Sequence, residues 1–272
     1  MNARAYWAVV SARYRMLLQY RVAAFAGFMT QLFWGAVRLM IFGAFFAVST
    51  VEQPLSLGDI VAYVWLGQAL LGLLPWNVDQ EIAEKIQTGD VAYELLRPLD
   101  LYAFWYFRTL AFRCAGTTLR LIPMVVFAML LLPAVGLDAW ALAPPAPGQG
   151  WLFALSMTIT VLLATAITML THISLVWTIS GEGFNRLMPG LSAILSGMIV
   201  PLPLYPEWLQ PLLNWQPFRG LCDVPYRIYT GNIAAADAMP EIAQQLMWVV
   251  LIVGFGYWLL NVGTRRVVVQ GG

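Results

Sequence analysis

Between Arg21 and Gly263, apolar runs of roughly bilayer-spanning length alternate with short polar breaks, and the basic residues gather at alternate breaks. Such runs have no soluble fold that would bury them all, so the chain reads as an all-α integral membrane protein. The runs are continuous and do not alternate in twos, which argues against a β-barrel. Only 11% of residues are charged and 60% are hydrophobic, against roughly 25% charged in an ordinary soluble domain. The net charge of +1 points to no partner, and no nucleic acid is expected. What matters is how the charges are distributed.

The 272 residues leave room for six helices of ~20 residues with their connections. Residues 3–20 form a helical wheel with a broad apolar arc (Tyr6, Trp7, Val9, Val10, Tyr14, Leu17, Leu18) opposite Arg4, Ala8, Ala12, Arg15 and Gln19, with Arg13 interrupting the arc. This pattern predicts an amphipathic helix on the membrane surface, with a plain extension of the first span as the alternative. No secretory signal peptide is read there, since the arginines are scattered and no compact apolar core exists.

Six spans are expected: about Val22–Val48, Ile60–Trp76, Ala111–Leu132 with a helical approach from Phe104, Trp151–Ile179, Leu187–Val200 and Leu246–Val262. The fifth is short and holds Pro189, Gly190 and Gly197, so it is not expected to cross as a straight rod. Eleven basic residues flank one side: Arg4, Arg13, Arg15, Arg21, Lys85, Arg97, Arg108, Arg113, Arg186, Arg265 and Arg266. Only Arg219 and Arg227 flank the other. By the positive-inside rule both termini are cytoplasmic. Cys114 and Cys222 then fall in segments on opposite sides, so no internal disulfide is expected, and no metal-type spacing occurs.

Two breaks stand out. Asn77–Leu101 is the most charged stretch, and within it Val78, Ile82 and Ile86 recur every four residues opposite Glu81, Glu84, Lys85 and Gln87. That spacing predicts a short helix stopped at Gly89, then a second piece, Val91–Arg97, ended by Pro98. Its charged face is free to dock on a soluble partner; a solvated loop helix that docks on nothing has the same composition. The second break, Pro201–Gly231, carries prolines at 201, 203, 206, 211 and 217 with Tyr205, Trp208, Trp215 and Phe218. It predicts short broken helices dipping into the outer leaflet, where irregular backbone survives only against protein or a water-lined cavity. A plain interfacial loop is the alternative.

Four stretches resemble the permease subunits of bacterial ABC-2-type exporters, in the branch with two different six-span permeases and one ATPase. They are YRVAAFAGFMTQLFW (20–34), TGDVAYELLRPLDLY (88–102), SGMIVPLPLYPEWLQPLLNWQPFRGLCDVPYRIYTGNI (196–233) and RRVVVQGG (265–272). The resemblance implies a single domain over 1–272. Residues 1–21 would be an amphipathic connecting helix, 22–76 the first two spans and 77–101 a cytoplasmic coupling region. Residues 102–200 would be spans three to five, 201–240 an outer re-entrant gate, 241–263 the sixth span and 264–272 a cytoplasmic tail. It further implies that Glu81, Glu84, Lys85, Gln87 and Arg97 couple to an ATPase, and that Pro201, Tyr205, Pro206, Trp208, Trp215 and Phe218 belong to the gate. The implied location is the bacterial inner membrane. The implied partners are an ABC ATPase dimer on the cytoplasmic face and a second permease subunit, a paralogue favoured over a homodimer.

The chain itself has no GxxxxGK[ST] loop, and its one lysine, Lys85, lies outside any Gly-rich loop. It is therefore read as no enzyme, with no bound cofactor and no catalytic residue; ATP and Mg would sit on the partner ATPase. Arg38 and Arg120 lie inside spans, where each costs ~2.5–3.5 kcal/mol at mid-membrane. They are candidates for a central cavity or subunit interface, or for structural bonding between helices. Arg108 and Arg113 are read as ordinary headgroup-level residues. His172, among Thr168, Thr171, Ser174 and Thr178, has no carboxylate partner on its helix before Glu182 and is expected to hydrogen-bond between helices. The resemblance, and no residue of the chain, favours a drug-like, lipid or other amphiphilic substrate; a passive channel and an intramembrane enzyme are the rival functions.

Overall fold

The computed structural model describes residues 3–178 and 182–264, and within them the secondary structure is entirely helical. The C-terminal tail with Arg265 and Arg266, and residues 179–181, lie outside the described residues. Helix α1 (Ala3–Leu17) is followed by α2 (Arg21–Val48), a proline-free helix of 28 residues. Along α2 the buried positions are Ala24, Gln31, Gly35 and Leu39, close to one stripe at fourfold spacing. Gly35 belongs there because the Trp65 ring presses against it: an added Cβ would lie 2.9 Å from that ring. Small residues permit such close approach between apolar helices.

Helix α3 (Leu57–Leu70) starts at a capping box, with Ser56 Oγ accepting from the Asp59 N–H at 3.1 Å and the Asp59 carboxylate accepting from the Ser56 N–H at 2.8 Å. Ile60 through Leu70 are all buried, so α3 is apolar on every side and fills the centre of the bundle. A 3₁₀ turn, Leu71–Leu73, leads to α4 (Gln80–Thr88), which ends at Gly89 in left-handed backbone (φ +80°). Helix α5 (Val91–Leu95) is shorter than the expected Val91–Arg97 piece.

The expected approach at Phe104 and the third span are one helix, α6 (Leu101–Val126), capped by Asp100 and continued by a π turn at Phe127–Leu131 and by Leu132–Ala134. Pro123 sits four residues before that π turn, where the regular helical bonding changes. Helix α7 (Gly150–Thr178) has 61% of its most apolar stretch buried, against 17–28% for the other long helices, and so forms the central post. Helices α8 (Glu182–Leu195), α9 (Gln210–Trp215), α10 (Asp223–Thr230) and α11 (Ala235–Thr264) complete the chain, with α11 running along α7.

Among the described residues four helices are long and apolar enough to cross a membrane: Arg21–Val48, Leu101–Ala134, Gly150–Thr178 and Ala235–Thr264. The other two apolar runs are shorter. The second covers Leu57–Leu73. The fifth is displaced from the expected Leu187–Val200 to the 14 residues Glu182–Leu195. At 1.5 Å per residue it reaches only ~21 Å, against a hydrocarbon core of ~30 Å. It stops because Gly197 turns the chain with φ +82°.

The N-terminal helix also differs from expectation. It ends at Leu17, and its inward side is spent on protein: Tyr6 packs on Phe107 (ring centroids 5.1 Å apart) and Tyr14 Oη donates to Thr118 Oγ1 at 3.1 Å.

Candidate functional site

Helix α4 is amphipathic, and its apolar side explains where it lies. Ile82 packs into a buried cluster with Val91, Tyr102, Phe104, Trp105, Ile173 and Leu260. Val78, Ala83 and Ile86 pack on Leu175. The end of α4 that meets the bundle is built around Asp79, which is 2% exposed. As N-cap, its carboxylate accepts from the Glu81 N–H at 3.1 Å, as a helix N-terminus favours. Its own N–H donates to Nε2 of fully buried His172 at 2.8 Å, which places the ring proton on Nδ1.

Two guanidinium groups meet the same carboxylate: Arg13 of α1 at 2.9 Å and Nε of Arg108 of α6 at 3.3 Å. Both also reach Glu81, Arg13 at 2.8 Å and Arg108 through a second, close ion pair. Burial pushes the Glu81 carboxyl up, but the hydrogen bond and charge of Arg108, followed by the charges of Arg13 and Lys85, outweigh it and hold Glu81 below its usual 4.5. One turn on, Lys85 Nζ donates to buried Glu94 at 2.6 Å, and Glu94 also accepts from Trp105 Nε1 at 2.6 Å. Side chains of α1, α5, α6 and α7 thus fasten one short helix. Taking such charges out of water costs several kcal/mol per ion, so the network fixes position more than it adds stability.

This arrangement corrects two expectations. Glu81 and Lys85 are not wholly free on an outer face: both pair within the chain, and the Glu81 side chain stays 45% exposed. Arg108 is not an ordinary headgroup-level residue either, being 7% exposed and bonded to the α4 carboxylates. Arg113, 2% exposed, donates to the carbonyl of Leu74 at 2.8 Å, to Asn77 Oδ1 at 3.0 Å and to Thr168 Oγ1 at 3.1 Å, fixing the chain that leads into α4. Exposed at the tip are Glu84, Gln87, Asp90, Tyr93 (71%), Leu96 (82%) and Arg97, whose guanidinium lies 5.2 Å from the Phe104 ring centre.

Of the two intramembrane arginines, Arg38 donates to the carbonyls of Met198 and Ile199, the latter at 2.9 Å, just past the end of α8. A cation there suits a helix C-terminus and satisfies carbonyls that the broken fifth run leaves open. Arg120 lies over Gly27 of α2, where an added Cβ would meet its Nε at 3.0 Å; that Nε is buried without a hydrogen-bond partner.

At the opposite end, the prolines divide residues 201–231 into 3₁₀ turns at Leu202–Leu204, Glu207–Leu209 and Pro217–Leu221 and the helices α9 and α10. Pro201 is buried, Tyr205 and Phe218 are half-buried, and Pro206, Trp208 and Trp215 are exposed. The Trp215 carbonyl accepts from Trp248 Nε1 of α11 at 3.0 Å. Fully buried Asp223 anchors this segment. It accepts from Tyr63 Oη of α3 at 2.8 Å and Arg219 Nε at 3.1 Å, and pairs with Arg227 at 3.5 Å. Arg219 reaches on to Glu241 of α11 at 2.6 Å. Arg219 and Arg227, used in the sequence only to mark a side, are members of a built ion network.

Among the described residues no group of three His, Cys, Asp or Glu side chains could hold a metal ion. What the geometry offers is mechanical: a short helix bolted to four others at one end of a bundle of long apolar helices, with an exposed polar tip. The family description "ABC-2 family transporter protein" matches residues 32–271. The chain belongs to this family. An ABC-2 protein is a multi-pass membrane transport component that associates with an ABC ATPase and is not itself the catalyst. No curated protein matches the sequence. The match begins within α2, so Arg13 lies before it, whereas Asp79, Glu81, Arg108 and His172 lie inside it.

The sequence brought Glu81, Lys85 and His172 forward, and the fold gathers them with Asp79, Arg13 and Arg108, which it did not. Arg13 carried a signal, since it broke the apolar arc of its helix. The Arg219–Asp223–Arg227 spacing of four was a second signal. Asp79 and Arg108 carried none.

Proposed function

We propose that this ABC-2 chain is one six-span permease half of an ATP-driven exporter, and that α4 is the element a separate ATPase moves. The observation that carries the reading is the contrast within α4–α5. Asp79, Glu81 and Glu94 are fastened to three neighbouring helices, α1, α6 and α7, and Lys85 ties α4 to α5, while Glu84, Gln87, Tyr93, Leu96 and Arg97 remain exposed. A lever needs both a rigid attachment and a free handle. An ATPase dimer holding ATP and Mg would close, push this handle and rock the bundle, since ATP binds the open and closed dimers with different affinity.

The outer segment with Pro201, Tyr205, Pro206, Trp208, Trp215 and Phe218 would act as the gate, and Arg38, Arg120 and His172 would hold the bundle between gate and lever. The resemblance of residues 88–102 and 196–233 to the two-permease branch supports a paralogous second permease and export of a drug-like, lipid or other amphiphilic substrate. The eleven-to-two split of basic residues supports cytoplasmic termini in a bacterial inner membrane. Neither a passive channel nor an intramembrane enzyme gains an observation from the fold.

Co-purification of the intact complex tests the proposal. Glu84→Arg should weaken retention of the ATPase and lower substrate-stimulated ATP hydrolysis while the permease stays folded. Unchanged retention, or ion conduction by the purified chain alone, would refute it.

A further inference from the structure

A cavity of about 720 Å³ lies between α3, α6 and α7, and none of the residues of the α4 ion network lines it. Its lining follows one face of α6 from Cys114 to Met129, ~22 Å at 1.5 Å per residue, and crosses to the outer-end residues Gly150–Val161 of α7. It opens on the surface past Ile122 (60% exposed) and Val126 (44% exposed). The volume lies within the ~300–1,000 Å³ of small-molecule sites. Long, uncharged and open along its side to whatever surrounds the exposed Ile122 and Val126, it suits a single flexible apolar chain.

The chemistry of the lining narrows the occupant further. No charged residue lines the cavity. Its hydroxyls already donate within the protein: Thr117 to the Arg113 carbonyl at 2.8 Å, Thr118 to Cys114 at 2.8 Å, Thr158 to Ala154 at 2.9 Å and Tyr229 to Ala143 at 2.6 Å. With those protons committed, a ligand's acceptors or charges would lose water there without recompense. A hydrocarbon chain loses nothing on entering, because it exchanges the apolar bilayer for an apolar, uncharged lining.

We infer that the cavity holds an acyl chain of a membrane phospholipid, seated as a structural ligand between α6 and α7. The inference rests on the chain spanning a bilayer and not on the coupling role of α4.

The full complex is reconstituted in vesicles containing phosphatidylethanolamine with a photoactivatable diazirine on one acyl chain, irradiated, and its adducts mapped by peptide. Adducts should concentrate on residues 114–129 and 150–161. Either filling variant, Met157→Trp or Leu121→Trp, should lower them to the density found on the lipid-exposed face of α2, because the indole takes the space of the chain. Phe33→Trp on the exposed face of α2 should not. Having two fillers covers the case in which one fails to fold. Three results would overturn the assignment: adducts as dense on α2 and α11 as on these segments, adducts unchanged by both fillers, or adducts competed away by an amphiphile that stimulates ATP hydrolysis, which would make the cavity a substrate site.

Discussion

Asp79 is the residue on which the chemistry of the α4 end converges, because it caps α4, receives two guanidinium groups and lends its N–H to a buried histidine. Removing Arg108 leaves Asp79, 2% exposed, with Arg13 alone and deprives Glu81 of its closest cation. Breaking a buried ion network in this way costs roughly 3–5 kcal/mol. Arg108→Met should therefore lower the thermal midpoint of the detergent-purified protein more than Arg13→Met, whose guanidinium is the more exposed of the two. The double variant should depart from additivity, because both arginines share the same carboxylates. The pH dependence has a definite sign. The folded-state pKa of Glu81 is depressed below 4.5, so its contribution to stability is fully present above that value and is lost as pH falls through the folded pKa. Thermal unfolding followed from pH 7 downward should show this loss only below ~pH 4.5, and Glu81→Gln should remove it.

At the scale of elements, α4 was half legible. The fourfold recurrence of Val78, Ile82 and Ile86 and the stop at Gly89 are local signals, and the fold uses them as the packed side and the left-handed cap. Which of its charges face inward was not legible. The partners Arg13, Arg108 and His172 come from separate helices, and no local spacing records a contact that only tertiary packing creates. The fifth run was legible as short and broken, yet its helix ends five residues earlier than expected, at Leu195, because Gly197 turns the chain and Arg38 then holds the carbonyls of Met198 and Ile199. Two neighbouring substitutions on α4 separate handle from bolt. Glu84→Arg should impair ATPase binding with little change in the thermal midpoint. Lys85→Glu should lower both, because it sets a second carboxylate against Glu94, whose side chain is 3% exposed. Size-exclusion co-elution and thermal unfolding of the two variants side by side give the comparison.

The whole molecule is a bundle around α3 and α7 whose two ends are locked by different ion networks, Asp79–Arg13–Arg108 at one and Asp223–Arg219–Glu241 at the other. The long helices between them are held by close packing. Gly43 of α2 lies against the Trp140 ring, which a Cβ would meet at 2.6 Å. Gly43→Leu should therefore push α2 away from the bundle and lower the yield of folded protein by overpacking, at ~1–3 kcal/mol, as read from monodispersity in detergent. The all-helical class and the four longest helices followed from hydropathy because bilayer thickness dictates them. The two shorter runs, and the networks that replace missing length with capped carbonyls and ion pairs, depended on contacts between distant segments.

What touches α4 in the cell decides whether this helix is the part that an ATPase moves. A photo-crosslinking amino acid placed at exposed Gln87, in cells making the whole complex, should yield one dominant adduct with the cognate ATPase and a changed yield when ATP is trapped by vanadate. No ATPase adduct at Gln87, together with labelling of the same position by a membrane-impermeant reagent added outside the cell, would contradict the account.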